Sequence, residues 1–272
     1  MYNFYRSMCA GLFLLLSTAS ALADNNNFNS ILWMQASAEY KANTTQAYNT
    51  ALRNIDAALV DHKWTAAKEQ VGDCSSLPPA IVMDIDETVL ENSRYMGKVV
   101  LEGGEWSAVT WNEWVALQSA TAVPGAVEFI NAMRDKNVRV IFISNREFRK
   151  GDKSGSGFYQ EAGTIENLAK VGVAGVLPED VLLLGEQDGW TSEKKSRREY
   201  VSKKYRIVML FGDDLGDFLP DVKSNITPQE RDRLVGENKK NWGWKWFMLP
   251  NPTYGSWINI LRDPKSQYIM KY

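Results

Sequence analysis

Apolar runs that stop abruptly in charge organise this chain. Residues 80–83 (AIVM), 138–143 (VRVIFI), 181–184 (VLLL) and 206–211 (RIVMLF) are short and almost wholly hydrophobic. Runs of that length and composition read as strands buried on both faces. Helical spacing fills the gaps between them, over 126–136, 159–171 and 192–204. Strand and helix in alternation imply an α/β fold, a Rossmann-like parallel sheet flanked by helices. Residues 246–249 add a candidate last strand before the Pro250-Asn251-Pro252 turn. Upstream, 28–68 has helical spacing, with Ile31, Met34, Ala38 and Ala42 on one face and Leu52, Ile55 and Leu59 on another. The Gly- and Trp-rich stretch 90–123 shows no simple period. Together with the N-terminal segment it is assigned to a mainly helical cap over the strand ends. The expected organisation is thus a leader over 1–23, an N-terminal helical segment over 24–79, and a core over 80–272 with a cap insertion at about 89–123.

Three of the strands end in polar groups. The first opens into Asp84-Ile85-Asp86-Glu87-Thr88, the second into Ser144-Asn145-Arg146, and the last into Gly212-Asp213-Asp214-Leu215-Gly216-Asp217. Open α/β sheets place ligands at the carboxyl ends of their strands. Adjacent buried carboxylates are costly unless a cation or a shared proton compensates. Asp-x-Asp-x-Thr alone also fits a solvated acidic turn, but three such ends on one edge point to a site.

The residue types suit phosphoryl transfer. A carboxylate can attack phosphorus when a metal neutralises the phosphoryl oxygens, so Asp84 is the candidate nucleophile. Mg²⁺ favours oxygen ligands, and Asp84, Asp213 and the backbone carbonyl of Asp86 would supply them. The Asp86 carboxyl is the candidate acid for the leaving alcohol and then base for the attacking water, which favours acidic pH. Ser144 can donate to a phosphoryl oxygen, with Asn145 and Arg146 beside it as candidate substrate contacts. Lys195 could supply positive charge next to the nucleophile, although a solvated helix face containing Lys194, Arg197 and Arg198 reads equally well. Asp217 could orient a metal-bound water, and Asp214 is expected to face solvent. The one histidine, His62, lies on no motif, which leaves a histidine nucleophile without partners.

Charge and cysteine usage narrow the classes. Arg6, the apolar residues 10–16 and Ala21-Leu22-Ala23 form an export signal with cleavage expected after Ala23. The apolar stretch is too short to be a convincing membrane span. Cleavage removes one cation and no acid, taking the formal charge from −2 to −3. That balance offers no basic footprint for nucleic acid. Cys9 precedes the apolar stretch and leaves with the leader, so no lipid anchor is expected, and Cys74 remains without an intramolecular partner.

DIDET, ISNR, the Lys195 region and GDDLGD stand in the order of the four haloacid dehalogenase (HAD) superfamily motifs. Beyond these, Gln46-Ala47-Tyr48-Asn49, DIDETVLENSRY, AVPGAVEFIN, FGDDLGDF and PNPTYGSW make the chain resemble the class C bacterial acid phosphatases. The resemblance covers nearly all of the chain after the leader. It implies an exported, Mg²⁺-dependent phosphomonoesterase acting on small esters, often 5′-nucleotides including nicotinamide mononucleotide, and commonly a homodimer. It also implies that Trp111 and Tyr254 sandwich the base or nicotinamide ring. The lipid-attachment cysteine of the lipoprotein members is absent. Two other readings keep the fold: a phosphotransferase using the same intermediate, and a weakly catalytic protein that binds or stores phosphate esters. Haloacid dehalogenation needs no metal and would leave the Asp213 cluster unexplained.

Overall fold

The computed structural model describes residues 27–148 and 160–272. In chain order the elements are α1 (Phe28–Ala36), α2 (Ala38–Val60), β1 (Pro79–Met83), β2 (Leu90–Glu91), α3 (Ser93–Leu101), α4 (Ala108–Leu117), β3 (Thr121–Ala122) and α5 (Ala126–Asp135). There follow β4 (Arg139–Glu147), α6 (Gln160–Lys170), β5 (Val181–Leu184), α7 (Lys195–Ser202), β6 (Arg206–Gly212), α8 (Pro228–Glu237), β7 (Trp246–Met248) and the single turn α9 (Ser256–Asn259). Five strands form one sheet in the order β5-β4-β1-β6-β7, and every pairing in it is parallel. This is the α/β architecture expected from the alternating runs. β2 and β3 make a small antiparallel pair of their own.

Each strand divides its side chains between two cores, because successive residues point to opposite faces. Ile81 and Met83 of β1 join Tyr48, Ile55, Phe129 and Leu168, contributed by α2, α5 and α6. Ala80 and Val82 face the other way, with Val201 of α7, Phe218 and Trp246. The β1–β6 register shifts at Ala80/Ile81, where Ile207 pairs with Ala80 and Met209 with Ile81. The extra residue puts both Val208 and Met209 in the first core, as a bulge does. With all five strands parallel, the segments after β1 and β6 and the end of β4 emerge on one edge.

Several boundaries differ from the sequence reading. The N-terminal helix breaks at Ser37, which ends α1 and caps α2 by accepting from the Tyr40 backbone N–H. The break resets the helical phase, so Tyr40, Thr44 and Tyr48 are buried while Ala38 and Ala42 are exposed. Helix α2 stops at Val60, and the following segment is a loop anchored by buried Trp64, which donates to the Val208 carbonyl at 2.8 Å. The stretch without a period contains α3 and α4. Apolar residues are spread around α4, and Val115 alone is fully buried, so no single stripe marks it. α8 buries no residue at all. The leader and the polar loop 150–157 lie outside the described residues. Among the described residues, no helix is long and apolar enough to cross a membrane.

Candidate active site

The strand ends meet in a cavity of about 620 Å³ lined by Asp84, Asp86, Asn145, Arg146, Lys194, Asp213 and Asp217, with Met96, Trp106, Trp111 and Tyr254 among the remaining residues. Its floor is acidic. One oxygen from each of Asp84, Asp213 and Asp217 lies within 4.8 Å of the others. Gly212 makes this possible, since a Cβ there would sit 2.1 Å from Asp217 Oδ2. Asp217 Oδ2 in turn accepts from the Asp214 backbone N–H at 3.0 Å.

Lys194 Nζ bridges the floor, at 2.5 Å from Asp84 Oδ1 and 2.6 Å from Asp217 Oδ1. Burial alone would lower the ammonium pKa, but Asp217 and Asp84 outweigh it and hold it above the usual lysine range. One cation does not balance three carboxylates. Burial pushes Asp84 up to about 6, with Lys194 opposing and Asp217 and Asp86 adding to the rise. Asp213 is pushed well above the carboxylate range by burial and then by Asp84, Asp217 and Glu87. An all-oxygen cluster with surplus negative charge fits a hard divalent cation. Asp217, expected only to orient a metal-bound water, stands as a third carboxylate beside Asp84 and Asp213.

Asp86 accepts from Arg146 Nε at 3.2 Å to both oxygens, from Arg146 Nη2 at 2.8 Å, and from Asn92 Nδ2 at 3.0 Å. Arg146 is buried, also donates to Thr164 Oγ1 at 2.8 Å, and lies 5.8 Å from the centroid of the Trp111 ring. The structure therefore makes Arg146 a support for Asp86 and Trp111 as well as a cavity residue. Ser144 is fully buried and its Oγ accepts from the Arg146 backbone N–H at 3.1 Å. It stands beneath the lining, whereas Asn145 is exposed within it.

Lys195 is misplaced in the sequence reading. Its side chain is 54% exposed and approaches Glu199 at 3.7 Å, one turn along α7, while Lys194 is 4% exposed and holds the nucleophile candidate. Lys194 is the N-cap of α7 and Lys195 its first residue, so consecutive side chains diverge by about 100° around the axis. The neighbouring arginines are not a solvated face either. Arg197 donates to the Ser144 carbonyl at 2.5 Å and to Asn145 Oδ1 at 2.6 Å, bracing the end of β4. Burial lowers its guanidinium to about 10. Arg198 donates to the Asp217 carbonyl at 2.8 Å and to Glu69 at 2.5 Å.

Asp214 is half-buried and structural, not solvent-facing. It accepts from the Ser256 backbone N–H at 2.6 Å and from Ser256 Oγ at 2.8 Å. Asn251 Nδ2 donates to Asp213 Oδ2 at 2.8 Å. These bonds seat the loop bearing Tyr254, whose hydroxyl donates to buried Glu87. Glu87 also accepts from the Asn92 backbone N–H at 2.8 Å, and Trp114 Nε1 donates to Asn92 Oδ1 at 2.8 Å. Trp111 meets Tyr95 edge-on at 5.2 Å, and both pack in one cluster with Met96 and Tyr254. Glu87, Asn92 and Lys194 are the functional-site residues that the sequence reading did not single out. His62 is exposed, as expected of a surface histidine.

The family model described as HAD superfamily, subfamily IIIB (acid phosphatase) matches residues 17–257. A class C acid phosphatase from Bacillus anthracis is similar in structure at 33% identity and TM-score 0.70, over 86% of this chain and 86% of that one. A second structure of the class C acid phosphatase from that organism, with tungstate bound, matches at 34% identity and TM-score 0.71, over 87% and 88%. With most of its length matched both by the family and by solved structures, the chain belongs to the subfamily IIIB acid phosphatases of the HAD superfamily, and it is a phosphomonoesterase.

Proposed function

We propose that the protein is an exported, Mg²⁺-dependent acid phosphatase that hydrolyses small phosphate monoesters, 5′-nucleotides and nicotinamide mononucleotide among them, through an aspartyl-phosphate on Asp84. The carrying observation is the floor of three carboxylates within 4.8 Å bridged by a single lysine. Asp84, Asp213 and Asp217 would hold the ion, with the Asp86 carbonyl as a further ligand. When bound, Mg²⁺ would supply charge neutralisation at the phosphoryl oxygens.

The chain's own residues account for the rest. Lys194 occupies Asp84 Oδ1, leaving Oδ2 to attack phosphorus as the ester P–O bond breaks. Asp86 gives its proton to the departing alkoxide. It then takes a proton from the water that attacks the aspartyl-phosphate, releasing inorganic phosphate and restoring Asp84. Arg146 and Asn92 fix the Asp86 carboxyl in place for both transfers. Asn145, held by Arg197, is the candidate contact in the cavity lining to a phosphoryl oxygen, and Ser144 beneath it could donate only if the substrate reaches past the lining. Trp111 and Tyr254 supply ring faces on which a nucleobase or nicotinamide can stack. Export through the 1–23 leader to the periplasm or beyond, and assembly as a homodimer, complete the reading.

A phosphate-release panel over nucleotides and simple esters, run with EDTA and then with Mg²⁺ restored, tests it. Chelation should lower turnover more than about tenfold and Mg²⁺ should return it. Turnover indifferent to the chelator would overturn the metal-dependent reading.

A further inference from the structure

We propose that Lys223 determines specificity by selecting phosphate monoesters whose leaving portion carries a second anionic group, a carboxylate or another phosphate. The inference rests on the phosphomonoesterase reading of the cavity and names a substrate class within it.

Lys223 follows the turn at Leu215–Asp217 and lines the same cavity as Asp84 and Lys194. Its stem reaches the cavity across Gly216, where a Cβ would lie 2.1 Å from Lys223 Cε and 3.2 Å from its Cδ. A side chain at 216 would push the flexible end of the Lys223 stem aside, so Gly216 leaves room for the stem as it lies. The ammonium donates to the Ser192 carbonyl at 2.7 Å. Among the described residues it has no carboxylate within ion-pair distance, whereas Lys194 has two.

The two lysines thus differ in what their charge is used for. Lys194 is consumed by the floor's own carboxylates. Lys223 has three donors and one protein acceptor, which leaves two donors for a ligand. Asp217, Asp214 and Glu193 attract this half-buried cation, yet none of them is in direct contact with it, so its burial is only partly compensated. Burial and then repulsion from Lys194 lower its pKa and outweigh the pull of those three carboxylates. An anion on the substrate that takes up the free donors would relieve the remaining penalty and a neutral substituent would not, which is how such a cation discriminates between ligands.

Paired substrates test the idea: ethyl phosphate against phosphoglycolate, and adenosine 5′-monophosphate against adenosine 3′,5′-bisphosphate. Lys223→Met keeps the stem and removes the charge. It should lower the preference for the more anionic member of a pair roughly tenfold, mainly through KM, and Lys223→Arg should restore it. A response confined to one pair supports the inference and assigns the group as carboxylate or phosphate. Equal losses within both pairs overturn it. The wild-type enzyme gives a measurement independent of any variant's folding: phosphonoacetate should inhibit at least about fivefold more tightly than methylphosphonate, and equal inhibition overturns the inference. No wild-type turnover of any ester would sink the underlying reading, whereas turnover without the preference sinks this inference alone.

Discussion

The floor and the aromatic wall of the cavity are built from different material. The floor consists of carboxylates that follow the parallel strands β1 and β6 and of Lys194 at the start of α7, fixed by buried ion pairs and by the close approach of Asp217 to Gly212. The wall comes from α3, α4 and the loop carrying Tyr254, held by ring packing and by hydrogen bonds to Glu87 and Asn92. The carboxylates proposed to react follow directly on strands of the sheet, the most constrained part of the fold. The aromatic groups proposed to meet the variable part of a substrate sit on segments outside it. The same sheet can therefore keep one reaction while the wall is altered.

Breaking the floor should be far more damaging than breaking the wall. Asp84→Asn removes the proposed nucleophile and one of three clustered carboxylates. Turnover should fall at least about a thousandfold while the thermal transition is unchanged or raised; retained phosphate release would exclude the covalent route. The adjacent lysines give a sharper contrast. Lys194→Met should reduce turnover roughly a hundredfold and destabilise the metal-free protein, because it leaves Asp84 and Asp217 without their cation. Lys195→Met, on the exposed side of α7, should stay within about twofold. Similar losses in the two variants would contradict the placement of Lys194.

On the wall, Trp111→Ala should raise KM for nucleotides about tenfold more than for a small aliphatic ester, as loss of one stacking face predicts. Equal effects would reduce Trp111 to a packing residue for Tyr95 and Arg146. The smallest effect concerns pH. Burial lifts Asp84 to about 6, while an unfolded aspartate titrates near 3.9. Between those values the folded chain holds more protons than the unfolded one, so stability of the chelated protein should fall as pH rises from about 4 to 6. A melting series should show a drop of a few degrees, largely removed by Mg²⁺. A slope unaffected by Mg²⁺ would detach the ion from this floor.

Legibility in the sequence follows the same division. Asp84 and Asp213 are readable because each follows an apolar run long enough to name a buried strand, and a parallel sheet then gathers the ends. Lys194 is not, because choosing between it and Lys195 requires knowing where α7 begins to within one residue. The tie of Tyr254 to Glu87 joins positions far apart in the chain through a loop that no periodicity describes. α4 shows no stripe because its apolar residues surround it. α8 shows none because nothing on it is buried, although Thr227, Pro228 and Glu230 form a capping box with proline in the first turn, a start signal readable without hydrophobicity. Ser37 marks a boundary of similar kind, a capping serine inside what spacing alone treats as one helix.

Asn251 and Ser256 grip neighbouring aspartates, Asp213 and Asp214, on a single turn. The stretch carrying α8 and β7 thus leaves from and returns to the same mount. Insertions or deletions at the exposed positions of that excursion, away from Leu234, which packs on the core, and Arg231, which donates to Ser256 Oγ, would leave the gap between the Tyr254 ring and Asp84 untouched. Drift in length is insulated there from the depth at which a leaving group is seated.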